Sequence, residues 1–251
     1  NLGMQVTGTS TTLKLVEGWV PIAQLPTIAK LTGTVGLGPI FVPITGQMGS
    51  APNQGDQALK ADVARQTYNV NGTGVTVGVI SDSVNQVGGG LAASVSSGDL
   101  PNNVNVLTDG TAATLGGAPT DEGRAMLEQI YDIAPGAGLA FSTAAGGQVG
   151  FANSILGLAN IAKAQIIADD VRYPDEPMFQ DGPIAQAVTS VVQNNNVTYF
   201  SMAYNLANHG FQSPFRGTTA TVPGLGNGRF MDFDPGPGVA TTLPVTVAAN
   251  G

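Results

Sequence analysis

Residues 75–80, VTVGVI, form a nearly unbroken run of β-branched residues that stops at Ser81, Asp82 and Ser83. A run of this kind fits a strand buried on both faces, as in a parallel sheet covered by helices, better than an alternating strand with one wet face. Shorter runs of the same character recur at 104–107, 138–141, 165–168 and 197–200, and helical spacing separates them at 122–133, 149–163 and 183–193. Strand and helix in alternation predict an α/β domain with one parallel sheet, right-handed crossovers and helices on both faces. Ligands of such sheets bind beyond the carboxyl ends of the strands. Asp82, Asp169, Asp170 and the segment 201–205, which closes on Asn205, fall at such ends, and Glu122 opens a helix that can face them.

Each acid also has a plainer use. Asp121 and Glu122 are adjacent carboxylates at a predicted helix start, where negative charge offsets the helix dipole, and Asp121 is assigned that capping role. Asp82 is suited to a turn that bonds its own backbone as well as to a site. Asp169 and Asp170 could cap a loop, bind a cation or line the cleft.

The chain outside this pattern reads differently. Residues 11–16 alternate like a strand, 21–31 space apolar residues helically and 35–42 return to a strand pattern broken by glycines, as in part of a small α+β unit. The stretch 46–55 lacks periodicity and reads as a linker. The expected organisation is therefore a segment 1–52 and a larger domain 53–251. That domain begins with a helix at 58–68 and changes near 206 into an extension rich in Gly, Pro, Thr and Asp.

Charge and composition remove whole classes of function. With 17 acidic against 9 basic residues and a net charge of -8, attraction to nucleic acid or anionic membrane is disfavoured. The absence of cysteine excludes disulfides, thiolate metal sites and cysteine nucleophiles. Many glycines with few lysines fit an extracellular or cell-surface protein. No apolar run reaches the roughly 20 residues that span a bilayer, and the first ten residues lack a basic stretch followed by an apolar one, so a signal peptide, if any, is expected outside this chain. No Gly-x-Gly-x-x-Gly follows the first strand, which argues against a dinucleotide site.

Four segments in order, VTVGVISDS, DEGRAML, IAPGAGLAF and VTYFSMAYN, resemble the aspartate strand, histidine helix, Ala-Pro-Gly-Ala strand and oxyanion-asparagine strand of the subtilases. The resemblance spans roughly 56–205, and 12–45 is similar to the latter half of a subtilase pro-domain. It implies a subtilisin-like α/β fold preceded by a partial pro-domain-like segment. It places Asp82, or Ser81 in strict register, at the aspartate position, Glu122 at the general-base histidine and Asn205 at the oxyanion-hole asparagine. Glutamate at the histidine position is the mark of the sedolisins. Their partner aspartate one helical turn later is Met126 here, which leaves Asp82 as the expected partner of Glu122.

The implied activity is that of a serine endopeptidase, cutting a peptide or protein substrate by acyl transfer. Two carboxyls in a poorly solvated cleft titrate as a pair, so activity is expected at acidic pH, where one of them keeps its proton. Neither family's Gly-Thr-Ser helix opening follows Asn205. The chain is therefore expected to stop before its nucleophile and to be inactive alone, a carboxyl-terminal segment or second chain supplying the serine. The alternative is a non-catalytic surface or assembly module on the same fold.

The remaining candidates read as structural. Gly8, Thr9 and Ser10 imitate the serine opening by letter, but strand-like residues follow them. His209, the single histidine, lies in a polar loop and is assigned to the surface. Trp19, Met178 and Phe179 are expected in the core or an interface. No cofactor or metal is expected. Calcium at Asp232 and Asp234 competes with an ordinary turn, which the neighbouring Pro and Gly favour.

Overall fold

The computed structural model describes residues 2–39, 55–177, 180–205 and 213–242, together with the backbone of 44–45. Two compact units divide the chain, Asn1–Asn205 and Leu206–Gly251. The first begins with β1 (Gln5–Ser10), β2 (Leu15–Trp19), the single turn α1 (Leu25–Ile28), the two-residue β3 (Ile44–Thr45), α2 (Gly55–Ala58) and α3 (Ala61–Tyr68). Its body continues through β4 (Thr76–Ser81), α4 (Gly90–Ser97), β5 (Asn105–Thr108), α5 (Ala112–Leu115) and α6 (Glu122–Ile133). It ends with β6 (Gly138–Thr143), α7 (Gly147–Asn160), β7 (Ile166–Asp169), β8 (Val171–Arg172), α8 (Pro183–Asn195) and β9 (Thr198–Ser201). The described part of the second unit is one antiparallel hairpin, β10 (Gly217–Val222) with β11 (Gly226–Met231).

Five strands form a parallel sheet in the order β5-β6-β4-β7-β9. The β-branched run at 75–80 is its central strand, and Val79 pairs with Phe141 on one side and Ala168 on the other. Because successive strand residues point to opposite faces, Ile80, Ala140 and Ile167 meet Phe151, Ile155 and Leu158 of α7 and Val191 of α8. Val79, Leu139 and Phe141 point the other way and pack on Leu127 of α6, with Leu91 of α4 against them. Each such side chain contributes about 1.5–3 kcal/mol of burial, which is what holds helices to both faces.

The crossovers depart from expectation in one place. The β4–α4–β5 connection moves toward the β5 edge on the α4/α6 face, while those through α7 and α8 move toward β9 on the opposite face. These three share one hand, the usual right-handed one. The β5–α6–β6 connection moves toward β9 on the α4/α6 face and so has the opposite hand. That reversal lays the first turn of α6 over the end of β4. Gly123 allows the approach, since a Cβ there would overlap the Phe141 ring and come within 2.9 Å of the Ser83 carbonyl.

The amino-terminal expectations are corrected in detail. Residues 11–14 form the turn between β1 and β2, with Lys14 at φ 55, so the predicted strand at 11–16 begins four residues too early. The helix expected over 21–31 contracts around Leu25–Ile28, and 35–39 carry no regular structure. Trp19 is 76% exposed rather than part of the core. Of the linker expected over 46–55, Gly55 begins α2 instead; residues 46–54, like 40–42, Met178, Phe179 and His209, lie outside the described residues.

Candidate functional site

Ser81, Asp82 and Ser83 are all buried where β4 ends, and the α6 amino terminus lies across them. Asp82 is held by four donors. Its Oδ1 accepts the amides of Ser83 (2.6 Å) and Glu122 (2.9 Å), and its Oδ2 accepts the amide and hydroxyl of Thr120 (2.5 and 2.8 Å). Asp82 is therefore bonded to the backbone of Glu122 and not to its carboxyl, which differs from the expected side-chain pairing. An acceptor at this point satisfies an amide that the first helical turn leaves without an intrahelical partner.

Asp121 also differs from its expected capping role. It adopts a left-handed backbone at φ 57 and makes no side-chain cap to α6. Its buried carboxylate instead accepts Ser83 Oγ (2.8 Å), the amides of Gln86 (2.9 Å) and Val87 (3.0 Å), and Arg124 Nε (3.3 Å). It thereby fixes the loop that follows β4.

Glu122 is 5% exposed. Ser81 Oγ donates to its Oε2 at 2.6 Å, and Asp170 is close enough to act on the Glu122 carboxyl. Burial pushes the Glu122 carboxyl up to about 7; the Ser81 bond opposes this, and the charges of Asp170 and Asp82 add to it. Of the sequence candidates, Ser81, Asp82, Glu122 and Asp170 are thus gathered at one point of the sheet rim.

Asp169 and Asp170 are adjacent but face different surroundings, as neighbours in extended chain do. Asp169 accepts Ser201 Oγ at 3.0 Å and lies beside the Tyr199 hydroxyl, and burial raises its pKa. Asn205 is exposed beyond the edge strand β9, with β7 between that strand and β4. Two strand spacings make a lateral distance of about 10 Å, and no hydrogen bond among the described residues joins Asn205 to the four gathered groups. The pairing of Asp170 with Glu122 was missed in sequence. Its signal was the alternation that turns Asp170 away from the Asp169 side once the β7 register is fixed.

The remaining candidates have local duties. Ser10 closes the β1–β2 turn by accepting the Leu13 amide at 3.3 Å. Asp232 Oδ1 accepts the amides of Asp234 and Ala240, each at 3.0 Å, and these bonds lower its pKa. Among the described residues no group of three or more His, Cys, Asp or Glu side chains is placed to hold a metal, and no helix is long and apolar enough to cross a membrane.

No protein-family model matches the chain. No curated protein matches it either. Among solved structures it is similar to MycP1, in a crystal structure of that protein with the N-terminal propeptide removed, with a TM-score of 0.37 and 20% identity. The match covers 67% of this chain and 53% of MycP1, so the chain spans about half of that structure's length.

Proposed function

We propose that this chain is a serine-endopeptidase-like domain of the subtilase and sedolisin kind, with Glu122 as its proton-exchanging group. The supporting observation is the environment of that carboxyl: buried at the end of the central strand, bonded by Ser81 at 2.6 Å, beside Asp170, and pushed up to about 7. An acid held near neutrality can both take a proton from a nucleophile and return it to a leaving group, as acyl transfer requires.

Asp170 is the carboxyl partner in this reading. Asp82 positions Glu122 through its amide and fixes the first turn of α6. Ser81 has the bond length of a nucleophile to its base but is 0% exposed, so it orients Glu122 instead of meeting substrate. Asn205 is the proposed oxyanion donor, brought over the carboxyls when substrate seats between β9 and β4. None of the gathered side chains is assigned as the nucleophile in this reading.

The pair works with a single proton between Glu122 and Asp170. Burial keeps a proton on Glu122 up to about 7, so the reaction is favoured on the acid side. The test is a titration of the Glu122 side-chain carbon by NMR, in the wild type and in Asp170→Asn. An apparent pKa near 7 that falls in the variant is expected, and a wild-type value near 4.5 overturns the proton-exchange role. Incubation with unfolded protein between pH 3 and 8 should give no cleavage. Cleavage that persists in Glu122→Gln would refute the assignment of the base.

A further inference from the structure

A second site lies on the other side of β7. A cavity of about 440 Å³ opens between the ends of β7, β8 and β9 and the first turns of α8. Phe151, Val171, Ile184 and Val188 supply apolar walls, and Arg172 enters from β8. The Arg172 guanidinium lies 4.5 Å from the centre of the Tyr204 ring, which holds its plane in place. Its Nε is buried and has no hydrogen-bond partner. Among the described residues no carboxylate lies within ion-pair distance of it.

The same cavity holds two acids. Glu176 Oε1 accepts the Ala185 amide at 3.0 Å and so serves the start of α8, while its Oε2 is buried without a hydrogen-bond partner and burial raises its pKa, favouring the uncharged form. Asp169 is bonded by Ser201 at 3.0 Å. A positive fork that has lost water at one donor and faces apolar walls is suited to a planar anion on a short hydrocarbon stem, because guanidinium binds carboxylate through two parallel bonds. The volume is at the small-ligand end of ordinary binding cavities.

We propose that this cavity binds a carboxylate carried on a short apolar stem, with Arg172 as its ion partner. The shared chemistry has two sources, the side chain of a glutamyl residue in a peptide or a free dicarboxylic acid. The inference does not depend on the role given to Glu122.

The experiment follows the Arg172 Nε–Hε resonance of the full 251-residue chain by NMR while glutarate, its neutral diamide, a capped hexapeptide containing one Glu and its Gln counterpart are added in turn. The wild-type signal needs no variant that might misfold. Glutarate or the Glu peptide should shift that resonance saturably, with the neutral analogue at least tenfold weaker. With binding read from the backbone amide resonances of Val171 and Tyr173, Arg172→Gln should abolish the difference and Arg172→Lys should keep part of it. Equal binding of charged and neutral ligands, or no shift at Arg172 with any of them, overturns the proposal. Binding of the Glu peptide alone identifies a peptide side chain as occupant. Binding of glutarate without either peptide keeps the cavity assignment while removing peptide as its source, so failure here and failure of the peptidase reading are told apart.

Discussion

Glu122 and Asp82 sit at the same helix start and use their carboxyls in opposite ways. Asp82 spends both oxygens on four donors and holds backbone in place. Glu122 keeps a single hydroxyl donor, and burial with a neighbouring acid pushes its carboxyl up to about 7. Between its ordinary 4.5 and about 7 the folded chain binds a proton at Glu122 that the unfolded chain releases, so stability falls as pH rises across that window. Glu122→Gln should flatten this dependence and raise stability at pH 8 by about 2 kcal/mol, read from urea unfolding at several pH values. Asp82→Ala strands buried amides and should cost about 2–5 kcal/mol at pH 7 by the same measurement. At this scale the acids were legible in the sequence as candidates, but their partners were not. Hydrogen bonds such as Asp82 to Thr120 join residues 38 positions apart, and no local pattern encodes them.

Helix α6 carries the site because it is clamped at two levels. Leu127 is fully buried against Val79 and Phe141, while Gly123 lets the first turn touch the end of β4. Leu127→Ala should destabilise the chain by about 2–5 kcal/mol, measured by chemical denaturation. Gly123→Val should do more, forcing α6 off the strand and returning the Glu122 pKa toward 4.5 in the NMR titration. The strands and the long helices α6, α7 and α8 are readable from apolar spacing, since each buries a continuous stripe or run. Helix α4 is not. Its sequence, GLAASVSS, is made of small residues with little contrast between faces, and only packing on α6 gives it an identity. The hairpin β1–β2 docks on α7, where Glu17 accepts the Val149 amide at 2.9 Å. Burial raises the Glu17 pKa, so the docked hairpin is favoured at low pH and loses that contribution as pH rises through the shifted value.

Across the whole molecule, cooperativity should be graded. Strands β4 and β6 have a covered sheet on both faces, whereas β10 and β11 form a two-stranded hairpin, a unit with little stability of its own. Native-state hydrogen exchange should find the slowest amides at 77–80 and 139–142 and fast exchange at 217–231. Uniform protection across both regions would contradict that picture. The alternation of apolar runs and helical spacing, by itself, determined the parallel sheet, its helical layers and the rim on which acids would gather, because burial imposes periodicity on the residues that undergo it. Only the tertiary structure decided the reversed hand at α6, the choice of Asp170 over Asp82 as the carboxyl facing Glu122, and the unpaired Arg172 in its own cavity. Those depend on which distant segments meet, and contact between distant segments leaves no period in a sequence.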